Sequence, residues 1–100
     1  MNAIRDHVGD TVVMSFEFSA GLPVGATWRS QWRPTRESAT VAVTADPATN
    51  GDTVSFTVDA ADTRTLGAGT WYWDAEYEVG GLVFTFAEGR VSLVQDVTRT

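Results

Sequence analysis

An antiparallel β-sandwich of about seven strands is the fold this sequence predicts. Three observations carry the prediction. Apolar residues recur with a period of two in most segments, turn signals recur every 8–12 residues or so, and only one short stretch suits a helix. The length of 100 residues suits a single domain over 1–100, and 43% hydrophobic against 20% charged residues is a globular balance rather than a disordered one.

Residues 11–18 alternate Val12, Met14, Phe16 and Phe18 against Thr11, Ser15 and Glu17, with Val13 breaking the pattern. Two glycines and Pro23 make residues 20–25 a connection. Residues 27–33 alternate again, with Trp28, Ser30 and Trp32 on one face and Arg29, Gln31 and Arg33 on the other, up to Pro34. Residues 40–44 read as a short strand with Val41 and Val43 inward, and residues 46–52 (Asp-Pro-Ala-Thr-Asn-Gly-Asp) as the clearest turn. Val54, Phe56 and Val58 form the apolar face of the next strand. Residues 60–66 suit one helical turn, with Asp59 or Asp62 as its cap. Residues 70–79 read as the longest strand, placing Trp71, Trp73, Ala75, Tyr77 and Val79 opposite Tyr72, Asp74, Glu76 and Glu78. Gly80-Gly81 signals a two-residue hairpin into residues 82–86, and Gly89 marks a bulge or kink before a last strand over 91–97.

Composition narrows the function classes. Without cysteine there is neither a disulfide framework nor a thiolate zinc site. A formal charge of −6 repels phosphate backbones and argues against nucleic acid as a partner. No apolar run approaches the roughly 20 residues of a membrane helix, so no membrane partner is expected. The opening residues lack the apolar core of a secretory signal, so secretion through the usual route is not expected. All seven basic residues are arginine, a composition that fits a high-GC coding bias.

Candidate chemistry is thin. His7, the single histidine, sits beside Asp6, but no nucleophile accompanies the pair, so a surface histidine is the expected role. Asp46, Asn50 and Asp52 carry oxygen ligands for a hard cation, yet they are also what a tight turn uses, and their spacing is not that of an EF-hand. Asp74, Glu76 and Glu78 lie on one strand face rather than across a cleft, which disfavours a glycosidase. If their strand neighbours that of Arg29 and Arg33, as the C and F strands of an immunoglobulin-like sheet do, the two rows pair, with Arg29 against Glu78 as one such contact. The four tryptophans fall on apolar faces and are expected in the core; Tyr72 alone alternates with the acids, which is too little for a sugar-binding platform. No Gly-rich phosphate loop, nucleophile elbow or triad spacing occurs. No catalytic, cofactor-binding or metal residue is therefore assigned, no cofactor is expected, and the chain is expected not to be an enzyme.

Four segments together resemble a known family: Gly9-Asp10-Thr11 ahead of an alternating strand, Gly25-Ala26-Thr27-Trp28-Arg29-Ser30-Gln31-Trp32-Arg33, Leu66-Gly67-Ala68-Gly69-Thr70-Trp71-Tyr72-Trp73-Asp74, and Gly89-Arg90-Val91-Ser92-Leu93-Val94-Gln95-Asp96-Val97-Thr98-Arg99. In order and spacing they are similar to small tailed-bacteriophage and prophage virion proteins, in particular the N-terminal domain of phage baseplate upper proteins. Val8 stands where those proteins often have arginine. The resemblance implies an immunoglobulin-like sandwich that assembles in multiple copies with other virion proteins, as a structural subunit of the tail or baseplate. A capsid decoration protein is the alternative, and a carbohydrate-binding sandwich a more distant one. Sheet edges, loops and the terminal segments 1–10 and 95–100, which a sandwich core does not need, are the expected contact surfaces.

Overall fold

A computed structural model describes residues 2–95, with side chains from Ile4 onward. Its elements in chain order are β1 (Asn2–His7), β2 (Val12–Glu17), β3 (Thr27–Arg33), β4 (Val43–Asn50), β5 (Thr53–Val58), α1 (Ala60–Leu66), β6 (Gly69–Val79) and β7 (Leu82–Val94). The strands follow the order β1-β7-β6-β3-β4-β5-β2, which folds over at β4 into two facing layers. Residues 43–45 of β4 pair with β3, while residues 46–50 pair with β5. One strand thus belongs to both layers. All pairings are antiparallel except β1 with β7, which run parallel from Asn2↔Gly89 to His7↔Val94.

Period-two alternation builds the core between the layers. Val12 and Met14 from β2, and Val54, Phe56 and Val58 from β5, face Trp32, Trp73, Ala75, Val91 and Leu93 from the other layer, all buried. Ser30 is also fully buried, and its hydroxyl donates to the Asp74 carbonyl at 2.6 Å across the β3–β6 pair. Helix α1 forms where the sequence predicts it, with Asp59 as its cap: the Asp59 carboxylate accepts from the Asp62 N–H at 3.0 Å.

Three expectations are corrected. Residues 46–50 are strand rather than turn, and β4 begins at Val43, so Val41 precedes it. The turn is only Gly51-Asp52, with Gly51 at φ 62° supplying the positive dihedral a two-residue hairpin requires. Such a turn makes Asn50–Thr53 a hydrogen-bonded pair, and by alternation the nitrogen of Pro47, opposite Phe56, faces away from β5. Proline costs nothing there, because β4 has already parted from β3. Secondly, residues 82–94 form one strand, longer than β6 and carrying its irregularity at Phe86 rather than Gly89. Ala75 pairs with Ala87 and Glu76 with Thr85, so Phe86 is the extra residue of a bulge. Thirdly, the N-terminal segment is not dispensable to the sandwich: β1 completes the β7 layer, and Ile4 and Val8 pack on the core. Residues 96–100, which include the expected strand end at Val97 and most of the C-terminal contact segment, lie outside the described residues.

Candidate functional site

The acidic and arginine rows do share the outer face of the β3–β6 pair. Arg29 stands opposite Glu76, not Glu78, and its Nε donates to Glu76 Oε1 at 2.6 Å, with Nη2 on the same oxygen. Glu78 lies opposite Thr27 instead. The offset follows from the register, which sets Trp28 against Tyr77. Arg33 Nη1 donates to Asp74 at 3.0 Å and its Nη2 to the Gln31 side chain at 2.7 Å, while the Arg36 guanidinium lies 5.5 Å over the ring of Tyr72. Arg33, Arg36, Tyr72, Asp74 and Glu88 line a pocket of about 100 Å³, too small for a sugar ring and its contacts. Asp74 lies directly across from Glu88, and Arg33 offsets that like-charge pair. These groups are consumed in bracing the sheet.

The remaining polar candidates are similarly occupied. Asp6, His7 and Asp10 gather their ligating atoms within 4.8 Å of one another. The His7 backbone N–H donates to Asp6 at 3.1 Å and to Asp10 at 3.3 Å, so the cluster caps the turn leaving β1. Desolvation, a side-chain hydrogen bond with Asp10 and the charge of Asp10 together hold the Asp6 carboxyl above its ordinary value, which means the two carboxyls share a proton more readily than isolated ones. Asp46 and Asn50 stand on β4, about 13 Å apart along an extended strand, so they do not converge on a cation with Asp52. The tryptophans point inward: Trp32 and Trp73 are buried, and Trp28 and Trp71 are packed against the core.

Two apolar openings remain. One is a slot of about 230 Å³ between the edge strands β1 and β2, lined by Ile4, Val13, Met14, Phe16 and Trp73. The other is the free edge of β7. Because β1 pairs only with residues 89–94, the part of β7 ahead of Gly89 has β6 on one side and no strand on the other among the described residues. Three consecutive side chains there are exposed: Leu82 at 62%, Val83 at 51% and Phe84 at 43%. Leu82 and Phe84 share the core-side face, where Phe84 stacks on Tyr77 at 5.2 Å, while Val83 lies on the outer face opposite Glu78. Sequence reading found this strand but not its exposure. A signal was present: residues 79–87 contain no charge, and residues 82–84 are apolar on both alternating faces.

No family model matches the chain, and no curated protein matches it either. Solved structures do. A swine CD8αα homodimer structure aligns with a TM-score of 0.62 at 9% identity, covering 92% of each chain. The NK cell receptor NKp44, described as a triggering partner in natural cytotoxicity, aligns with a TM-score of 0.48 at 14% identity, covering 94% of this chain and 96% of that one. The chain is therefore an all-β, immunoglobulin-like sandwich. At 9% identity the CD8 likeness is one of fold alone.

Proposed function

We propose that this chain is a non-enzymatic structural subunit of a bacteriophage particle, placed in the tail or baseplate, that works by protein–protein assembly in multiple copies. The observation that carries assembly is the free edge of β7, with Leu82, Val83 and Phe84 exposed in succession. Natural sheets blunt such edges with charges, proline or a covering loop, and an edge left apolar marks a place where another chain docks. The phage setting rests on the four sequence segments and their order. A sugar-binding role would need exposed aromatic platforms, whereas the tryptophans are turned inward.

The test is direct. An epitope-tagged chain, produced during phage growth, is followed into purified particles and located by gold labelling in negative stain. Label at the tail or baseplate is the expected result. Label on the head replaces this reading with capsid decoration, and absence from washed particles rejects a virion role.

A further inference from the structure

Building on the assembly reading, we propose that the free edge of β7 takes a second copy of this chain, the two β7 strands pairing antiparallel about a two-fold axis at Phe84. Gly80 and Gly81, at φ 59° and 81°, form the two-residue turn whose flanking pair, Val79 and Leu82, is hydrogen-bonded. Alternation then turns the N–H and C=O groups of Leu82 and Phe84 toward β6 and those of Val83 and Thr85 toward the open side. With the axis at Phe84, Val83 of each copy meets Thr85 of the other as a hydrogen-bonded pair, which uses every one of those outward groups. An axis one residue to either side sets Thr85 against the turn or Val83 against a residue beyond the bulge.

The open stretch of edge fits this strand. β1 takes over the edge at Gly89, so an incoming strand has to turn away before that point. A second β7 does so: in this register its Leu82 lies beside Phe86, and its Gly80-Gly81 turn falls beside Ala87 and Glu88. The side chains are self-complementary too. On the core-side face, exposed Phe84 meets its counterpart in a close, non-hydrogen-bonded pair, and exposed Leu82 of each copy covers Phe86 of the other. Residues 79–87 carry no charge. On the outer face Arg90 of β7, and Arg33 and Arg36 beside Glu88, balance the carboxylates of Glu78 and Glu88, so the edge does not select a charged strand. Pairing crowds no like charges either. The two copies of Glu78, each on its own β6, stand three strand spacings apart, about 14 Å, beyond the screening length of about 8 Å at physiological salt.

Sedimentation velocity of the full chain at physiological salt, from micromolar to millimolar concentration, tests this and should show monomer giving way to dimer. The Val83 side chains of two copies are diagonal neighbours at about 7–8 Å. Val83→Lys and Val83→Glu should therefore each weaken the dimer about tenfold or more, and an equimolar mixture of the two should restore it. Val13→Lys, an exposed change on the other edge strand β2, should leave it intact. The chain has no cysteine, so an introduced one reports contact between copies. Phe84→Cys should link two chains on mild oxidation, because a non-hydrogen-bonded pair brings its Cα atoms to about 4.5 Å. Leu82→Cys should not, since its two copies stand about 13 Å apart along the strands. The Val83 exchange keeps a readout even where Phe84→Cys fails to fold. A monomer at every concentration, a dimer untouched by the Val83 variants, or equal cross-linking at both cysteines overturns the inference. A monomeric chain that still enters particles rejects this inference alone; a dimer absent from particles rejects the virion reading and upholds the dimer.

Discussion

At the scale of single residues, charge is placed by register. Arg29 lies half-exposed over Glu76, so their interaction is screened, and a cross-strand pair of this kind contributes about 0.2–1 kcal/mol. Arg29→Glu combined with Glu76→Arg should recover most of what either single change loses in a urea melt, whereas the combination with Glu78→Arg should recover none. Asp6 supplies the pH dependence. Folding raises its pKa, first through desolvation and then through Asp10, so the folded state holds the proton more tightly than the unfolded one. Stability from this group is complete at pH values below the ordinary aspartate pKa. It is lost as pH climbs through the raised value, and is level above it. Asp6→Asn keeps an acceptor for the His7 N–H and supplies Asp10 with a permanent donor in place of the shared proton. It should raise the melting temperature at neutral pH, with the difference from wild type vanishing in acid. An unchanged difference across that range would mean that Asp6 does not titrate as its surroundings dictate.

At the scale of elements, helix α1 does more than connect β5 to β6. Thr63, fully buried, donates its hydroxyl to the Asp10 carbonyl at 2.7 Å and accepts from the Gly9 N–H at 3.0 Å, fastening the turn between β1 and β2. Thr63→Val keeps the shape and removes both bonds, leaving backbone groups unpaired at a cost of about 1–3 kcal/mol. Thr63→Ser should cost less, and chemical denaturation of the two variants separates the hydroxyl from its methyl. None of this was visible in sequence, because a threonine 53 and 54 residues away from its partners carries no periodic signal. The strands were visible for the opposite reason: alternation is local. In β7 even the bulge left a trace, since Leu82, Phe84 and Phe86 face inward on even positions and Ala87, Gly89, Val91 and Leu93 on odd ones. One extra residue reconciles the two phases. Its place was misread because Gly89 looks like the flexible point, while the backbone spends the residue at Phe86. Residues 46–50 were misread because Asp, Pro, Asn and Gly signal turns by composition, and only the crossing of β4 between layers shows where Pro47 is tolerated. The free edge escaped prediction for a larger reason: which strand lies outermost depends on the strand order, and that is a property of the whole chain.

At the scale of the whole molecule, the question is what ties the two layers together in a chain with no cysteine. Antibody domains use an inter-sheet disulfide beneath a buried tryptophan. Here aromatic rings span the gap: Phe16 lies 5.9 Å from Trp73 across the layers and 5.3 Å from Phe86, and Phe86 in turn reaches Phe18 at 5.2 Å, Trp28 at 5.8 Å and Tyr77 at 6.0 Å. Ring pairs in edge and tilted geometries add about 0.5–1.5 kcal/mol each beyond the area they bury. The bulge therefore has an energetic role, because the extra residue it accommodates is the ring that touches the most others. Phe86→Ala should cost about 3 kcal/mol or more, a large part of the 5–15 kcal/mol that holds a domain of this size. At roughly 4–8 °C per kcal/mol for domains near this length, the melting temperature should fall by more than 10 °C or so. Phe86→Leu, which keeps bulk but loses the ring geometry, should fall between the two. A thermal scan in which Phe86→Ala melts within a few degrees of wild type would show that the layers are held by the aliphatic contacts of Val12, Val54, Val58 and Val91 instead.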